Sequence, residues 1–135
     1  MSLYYVDTSA ALKLLVEESH SRAFATFYDE HTRASWVSSA LLRIEVFRAV
    51  TRAMPAVLPD ARELLAAFDY VSIDDEIVDA AMDEPDRMLR SLDAIHLATA
   101  RVLGPDLTGL VTYDDRLTTA AHDAGIPVMT PGTRR

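Results

Sequence analysis

The chain has 135 residues, half of them hydrophobic and a quarter charged, an ordinary globular balance with enough length for a substantial core. No run approaches the ~18 apolar residues of a membrane span, and residues 1–7, with no basic residue and an early Asp7, do not read as a signal peptide. With no cysteine, disulfides and thiolate metal sites are excluded. The net charge of −8, with Lys13 the only lysine, is the opposite of the basic surface that most nucleic-acid binders carry. Such a balance requires cationic partners, or divalent cations where the acids gather. The absence of repeats, linkers and low-complexity tracts predicts one domain over residues 1–135, and its composition fits cytoplasmic residence.

The first element is Leu3-Tyr4-Tyr5-Val6, an apolar run that reads as a strand buried on both faces. It ends on Asp7, followed by Thr8 and Ser9, whose hydroxyls suit a helix start. Helix formers run from Ala10 to Val16, and Ser21 to Glu30 predicts a second helix with Phe24, Phe27 and Tyr28 at helical spacing. Ala34 to Val37 is a short strand. Ser38 or Ser39 then caps a long helix that Pro55 stops. A helix from Pro59 to Ala67, a strand from Tyr70 to Ile73 and a helix from Asp74 to Asp83 follow.

Ser91 opens a strongly helical run that ends at Gly104-Pro105. Gly109 to Thr112 is a strand, Asp114-Asp115 begins a helix closed by Gly125, and Ile126 to Met129 is an edge strand that tolerates Pro127. Arg134-Arg135 reads as a frayed tail. Strands alternating with helices predict an α/β fold built on a parallel sheet.

Four acids stand out. Asp7 and Asp114 end strands, and in an open parallel sheet the carboxyl ends of strands are where ligands sit. Each has a simpler explanation as a helix N-cap, with Asp115 supporting the helix dipole. Glu45 lies beside the apolar stripe of its helix, and Asp93 lies on a face that should pack inward. Alone, either would be explained by a salt bridge to an arginine such as Arg48 or Arg90. Together, four converging acids could not all stay ionised without cations, and hard oxygen ligands point to Mg²⁺ or Mn²⁺. His96 reads as a hydrogen-bonded core residue outside this group; His20, His31 and His122 lack metal-ligand spacing. Trp36, Phe24, Phe27 and Phe47 read as core.

The pieces Tyr5-Val6-Asp7-Thr8-Ser9, Ile44-Glu45-Val46, Leu92-Asp93-Ala94-Ile95-His96-Leu97-Ala98-Thr99-Ala100 and Thr112-Tyr113-Asp114, in that order, resemble PIN-domain ribonucleases. Within that family the resemblance is to the VapC toxins of bacterial toxin–antitoxin pairs. It implies a three-layer α/β/α sandwich around a mostly parallel sheet. It implies Asp7, Glu45, Asp93 and Asp114 as metal-binding, catalytic acids, with Asp115, Thr8, Ser9 and Thr112 as auxiliaries. Thr8, Ser9 and Thr112 could position a water by their hydroxyls or simply cap helices. The chain departs from the family where Leu117 replaces an aromatic three residues after Asp114. The activity implied is Mg²⁺- or Mn²⁺-dependent cleavage of RNA, with tRNA and rRNA as candidate targets. The implied partners are a VapB-like antitoxin, whose basic segment would suit the −8 charge, and a second copy in a homodimer.

Arg43, Arg87, Arg90 and Arg116 could contact flanking phosphates, against the ordinary reading as solvated arginines. An aspartyl-phosphate phosphatase is a rival, weakened because Ser9 stands where a second acid is wanted. A catalytically idle PIN-like interaction module is the non-enzyme rival. Holding all four acids idle would carry an electrostatic cost.

Overall fold

The computed structural model describes residues 1–133; the expected tail at Arg134-Arg135 lies outside them. Five strands form one sheet: β1 (Leu3–Val6), β2 (Ser35–Ser39), β3 (Asp69–Val71), β4 (Gly109–Val111) and β5 (Val128–Met129). Their order is β3-β2-β1-β4-β5 and every pairing is parallel. The sequence implied a mostly parallel sheet; among the described strands it is wholly so. The helices are α1 (Thr8–Lys13), α2 (Ser21–Glu30), α3 (Leu41–Ala53), α4 (Leu58–Ala66), α5 (Asp75–Met82), α6 (Ser91–Leu103) and α7 (Asp115–Asp123).

Alternation along the central strands divides the interior into two cores. Tyr4, Val6, Trp36 and Val111 join Phe24, Leu42, Val46 and Leu65 on the side of α1 to α4. Tyr5, Val37 and Leu110 join Leu97, Ala100, Leu117 and Ala121 on the side of α6 and α7. The result is the α/β/α sandwich expected of such a pattern. The first core is aromatic: Tyr4 stacks on Trp36 with ring centroids 4.9 Å apart, and Phe27 meets Tyr4 edge-on at 5.3 Å. The charged Asp69 on β3 and the two-residue length of β5 keep both sheet edges short and unattractive for further pairing.

Several local readings need correction. Ser38 and Ser39 complete β2 and the N-cap position of α3 falls on Ala40, although Ser39 Oγ still accepts from the amide of Leu41, the first residue of the helix, at 3.1 Å. The Ser38 hydroxyl instead donates to the Val6 carbonyl at 2.6 Å, joining β2 to β1. The helix expected over 10–16 starts earlier, at Thr8, and ends at Lys13. Ser72 and Ile73 lie beyond β3 rather than in it. Phe47 is half-exposed: the stripe Leu42, Val46, Val50 faces the core, and Phe47 sits about 100° around the helix from Val46. It lines a surface groove instead, under the guanidinium of Arg62.

The topology makes β4 central and β5 marginal. Leu110→Ala is expected to cost about 2–4 kcal/mol in urea unfolding, whereas Val128→Ala on the half-buried edge should cost under ~1 kcal/mol. Equal losses would contradict the strand order.

Candidate active site

The carboxyl ends of β1 and β4 are neighbours, because Val6 pairs with Val111. Asp7 continues β1 and is 2 % exposed. A carboxylate there must be paired or hydrogen-bonded to be tolerated. It is: Ser9 Oγ donates at 2.8 and 3.0 Å to its two oxygens, the Ala10 amide at 2.9 Å and Thr112 Oγ1 at 2.6 Å. Burial still pushes the Asp7 pKa up, opposed by the His96 ring and by the bonds from Thr112, Ala10 and Ser9.

The same hydroxyls fasten the two strand ends to each other. Ser9 Oγ accepts from the Tyr113 amide at 2.9 Å, and Thr112 Oγ1 accepts from the Asp114 amide at 3.1 Å. Ser9 and Thr112 therefore hold carboxylate and loop together, and the caps are the aspartates themselves. Asp7 caps α1, and Asp114 caps α7 through Leu117 N at 2.8 Å. Thr8 likewise points elsewhere than a cap: its hydroxyl donates to Glu45 Oε1 at 2.7 Å.

Glu45 does not pair with Arg48, nor Asp93 with Arg90, as isolated salt bridges would have had it; among the described residues the partner of Glu45 is His96, at 2.8 Å. Burial raises the Glu45 pKa, but the hydrogen bonds from His96 and Thr8, reinforced by the attraction of the His96 ring when it is protonated, outweigh it and the net shift is downward. His96 is a buried, hydrogen-bonded residue as expected, 1 % exposed. Its link to Glu45 was not visible from the sequence; the only available signal was its place on the same helix as Asp93.

Asp93 differs from both. Among the described residues no donor reaches its carboxylate. Burial, then the charges of Asp114, Asp7 and Glu45, push its pKa to about 6, with His96 pulling the other way. Asp93 thus feels the charge of each of the other three acids, with no donor at its own carboxylate to offset them. A cavity of about 400 Å³ opens there, lined by Arg90, Asp93, Asp114, Asp115 and Arg116. A wider groove of about 610 Å³ lies apart, between α3 and α4, with Ile44, Phe47, Leu65, Phe68 and Tyr70 along it; it holds none of the four acids. Arg43 lines that groove, over the Tyr70 ring at 4.5 Å, rather than the acidic cavity. Arg90 and Arg116 rim the acids, and Arg116 is steadied by the Met88 carbonyl at 3.3 Å.

A parallel α/β/α sandwich with carboxylates gathered at the carboxyl ends of adjacent central strands defines a class of site suited to cation-assisted phosphate chemistry. The PIN-domain profile matches residues 4–123, and the chain belongs to the PIN-domain family. It is 43% identical over 135 residues to Ribonuclease VapC35 of Mycobacterium tuberculosis, covering 98% of this chain and 100% of that one. Its fold is similar to VapC20 of Mycobacterium tuberculosis, described as a sarcin-ricin loop cleaving toxin, with TM-score 0.76, 15% identity and coverage of 95% and 99%. It is also similar to a chain of VapBC2 from Rickettsia felis bound to a promoter DNA fragment, with TM-score 0.70, 8% identity and coverage of 96% and 98%.

The raised Asp93 pKa has a stability consequence in metal-free buffer. Folding favours the protonated form, so this contribution is full below the unfolded pKa of about 3.9 and is lost as pH rises through about 6. Asp93→Asn should therefore stabilise the protein by about 1–2 kcal/mol at pH 7.5, after allowance for solvent screening, and by almost nothing near pH 4. Urea titrations at the two pH values, with EDTA present, check this; a destabilising substitution at pH 7.5 would refute the electrostatic reading.

Proposed function

We propose that this chain is a metal-dependent endoribonuclease toxin that cleaves RNA phosphodiester bonds and is neutralised by a VapB-like antitoxin in the cytoplasm. The observation that carries the reading is the uncompensated Asp93 carboxylate, facing Asp114 and Asp115 across an open cavity while Asp7 and Glu45 add negative charge behind it. The identity with Ribonuclease VapC35 over the full chain supports the same reaction class. The VapBC2 assembly supports an antitoxin as partner.

The donor set fits a hydrated Mg²⁺ or Mn²⁺ better than a protein cage. Among the described residues, no three acidic or histidine side chains form one cation-binding group. Mg²⁺ commonly keeps several waters and takes one or two carboxylates plus substrate phosphate oxygens. Asp93 and Asp114 would supply those two carboxylates, with Asp115 beside them and the substrate completing the shell. When bound, the ion would neutralise the phosphate, lower the pKa of a water and stabilise the leaving oxygen.

This chain's residues supply the rest. Asp7, enclosed and immobilised by Ser9, Ala10 and Thr112, fixes the position of Asp114 and lends negative potential. Glu45, its Oε1 held by Thr8 and His96, keeps Oε2 available to accept a proton or orient a water. Arg90 and Arg116 offer guanidinium groups to phosphates flanking the cut, which lets an acidic protein hold RNA locally. Cleavage with water attacking phosphorus leaves 5′-phosphate and 3′-hydroxyl ends.

The purified protein should cut single-stranded RNA with added Mn²⁺, stop with EDTA, and lose at least 100-fold in kcat in Asp93→Asn. Arg116→Ala should raise KM for RNA and flatten its salt dependence by about one phosphate contact, with little change in kcat. End-mapping of the fragments reads the chemistry. RNA left intact by wild type as by Asp93→Asn would instead support an idle interaction module.

A further inference from the structure

The Glu45 carboxylate is held by a longer chain of hydrogen bonds than its own contacts suggest. Its Oε1 accepts from Thr8 Oγ1 at 2.7 Å and lies 2.8 Å from His96 Nε2. His96 Nδ1 lies 2.6 Å from the Tyr5 hydroxyl, and that hydroxyl oxygen accepts from the Ser39 amide at 3.1 Å. Tyr5 and His96 are 0 % and 1 % exposed, so the middle of this line is buried and only its Glu45 end reaches the surface.

The order of donors follows from elementary inventory. A backbone N–H only donates, so the Tyr5 oxygen is the acceptor towards Ser39. The phenol has one proton, and burial keeps it on the oxygen by raising the Tyr5 pKa. At the other end of the line the Glu45 carboxylate only accepts, so His96 Nε2 carries the ring proton, and in the neutral ring this leaves Nδ1 to accept the Tyr5 proton across the 2.6 Å contact. The ring N–H on Nε2 is donated to Glu45 Oε1. The two rings meet edge-on at 77°, with centroids 5.8 Å apart, so the hydroxyl rather than stacking joins them.

We propose that Ser39, Tyr5 and His96 form a positioning relay that fixes the rotamer of Glu45 for RNA cleavage. It anchors one carboxylate oxygen through β2, β1 and α6 and leaves Oε2 without a donor among the described residues. The relay rests on the nuclease reading above, in which Glu45 is one of the working acids. Neither Tyr5 nor His96 touches substrate; both act through Glu45. Because the anchor is a main-chain amide at the end of a central strand, the orientation is set by the sheet itself and not by a mobile side chain. Supporting hydrogen bonds of this kind are worth about 10–100-fold in activity or metal affinity.

Four variants separate the relay from simple packing: Tyr5→Phe, His96→Leu, His96→Gln and Glu45→Gln. His96→Gln retains an N–H that can reach Glu45 and a carbonyl that can accept from Tyr5; His96→Leu retains only bulk. Tyr5→Phe and His96→Leu are expected to lower kcat on an RNA oligonucleotide about 10–100-fold, with KM for RNA within about twofold, and His96→Gln to recover most of that loss. In the metal-free, RNA-free protein at pH 7.5, long-range ¹H–¹⁵N spectra should show His96 protonated on Nε2 and unprotonated on Nδ1, a pattern altered in Tyr5→Phe. His96→Leu and Tyr5→Phe cutting like wild type while Glu45→Gln is inactive would overturn the relay and leave the nuclease reading intact. His96 protonated on Nδ1 would also overturn it. Wild-type RNA left intact would fail the nuclease reading on its own, while the spectra still report the hydrogen-bond order.

Discussion

A carboxylate sealed from solvent at the end of β1 is the constraint around which this structure closes. Asp7 can be buried only if donors surround it, and the nearest ones come from two places: its own next turn, Ser9 and Ala10, and the end of β4, Thr112. Each hydroxyl that donates to Asp7 also accepts a backbone amide from the loop after β4. Satisfying one charge therefore locks two strand ends in register and delivers Asp114 to the same rim. The parallel pairing of Val6 with Val111 is what makes this reach possible.

The acids then fall into two tiers with different chemistry. Asp7 and Glu45 are internally compensated, the first by hydroxyl and amide donors, the second by Thr8 and His96. Asp93 and Asp114 stand at the cavity with capacity to spare: Asp93 has no donor among the described residues, and only one Asp114 oxygen caps α7. An inner tier that is fixed and an outer tier that is hungry for positive charge is a preorganised arrangement, because the cost of bringing the charges together is met by folding rather than by substrate binding. The net charge of −8 surrounds the cavity with further negative potential, while Arg90 and Arg116 line its rim, where the proposed RNA substrate would meet two guanidinium groups.

The sequence made the architecture legible because its elements are strongly patterned. The apolar run Leu3 to Val6, the stop at Gly104-Pro105 and the aspartates ending β1 and β4 each state a local rule, and the sheet obeys them. The placement of Asp7 and Asp114 at strand ends and of Glu45 and Asp93 on helices was legible for the same reason. What stayed hidden was tertiary. Tyr5 and His96 are 91 residues apart, and nothing local announces that their side chains meet. Thr8, Ser9 and Thr112 have capping chemistry in the sequence, yet the aspartates take the caps and free the hydroxyls for carboxylates. Ser38 looked like a helix start because local pattern cannot reveal that the Val6 carbonyl lies beside it.

The central claim, that folding gathers these acids into a cation-binding rim with Asp93 and Asp114 as its outer ligands, is tested most directly by anomalous diffraction from crystals soaked in Mn²⁺. The account expects a manganese peak in the Arg90–Arg116 cavity within coordination distance, roughly 2.0–2.3 Å, of an oxygen of Asp93 and an oxygen of Asp114. Manganese bound elsewhere on this acidic surface, with that cavity empty at the same concentration, would contradict it.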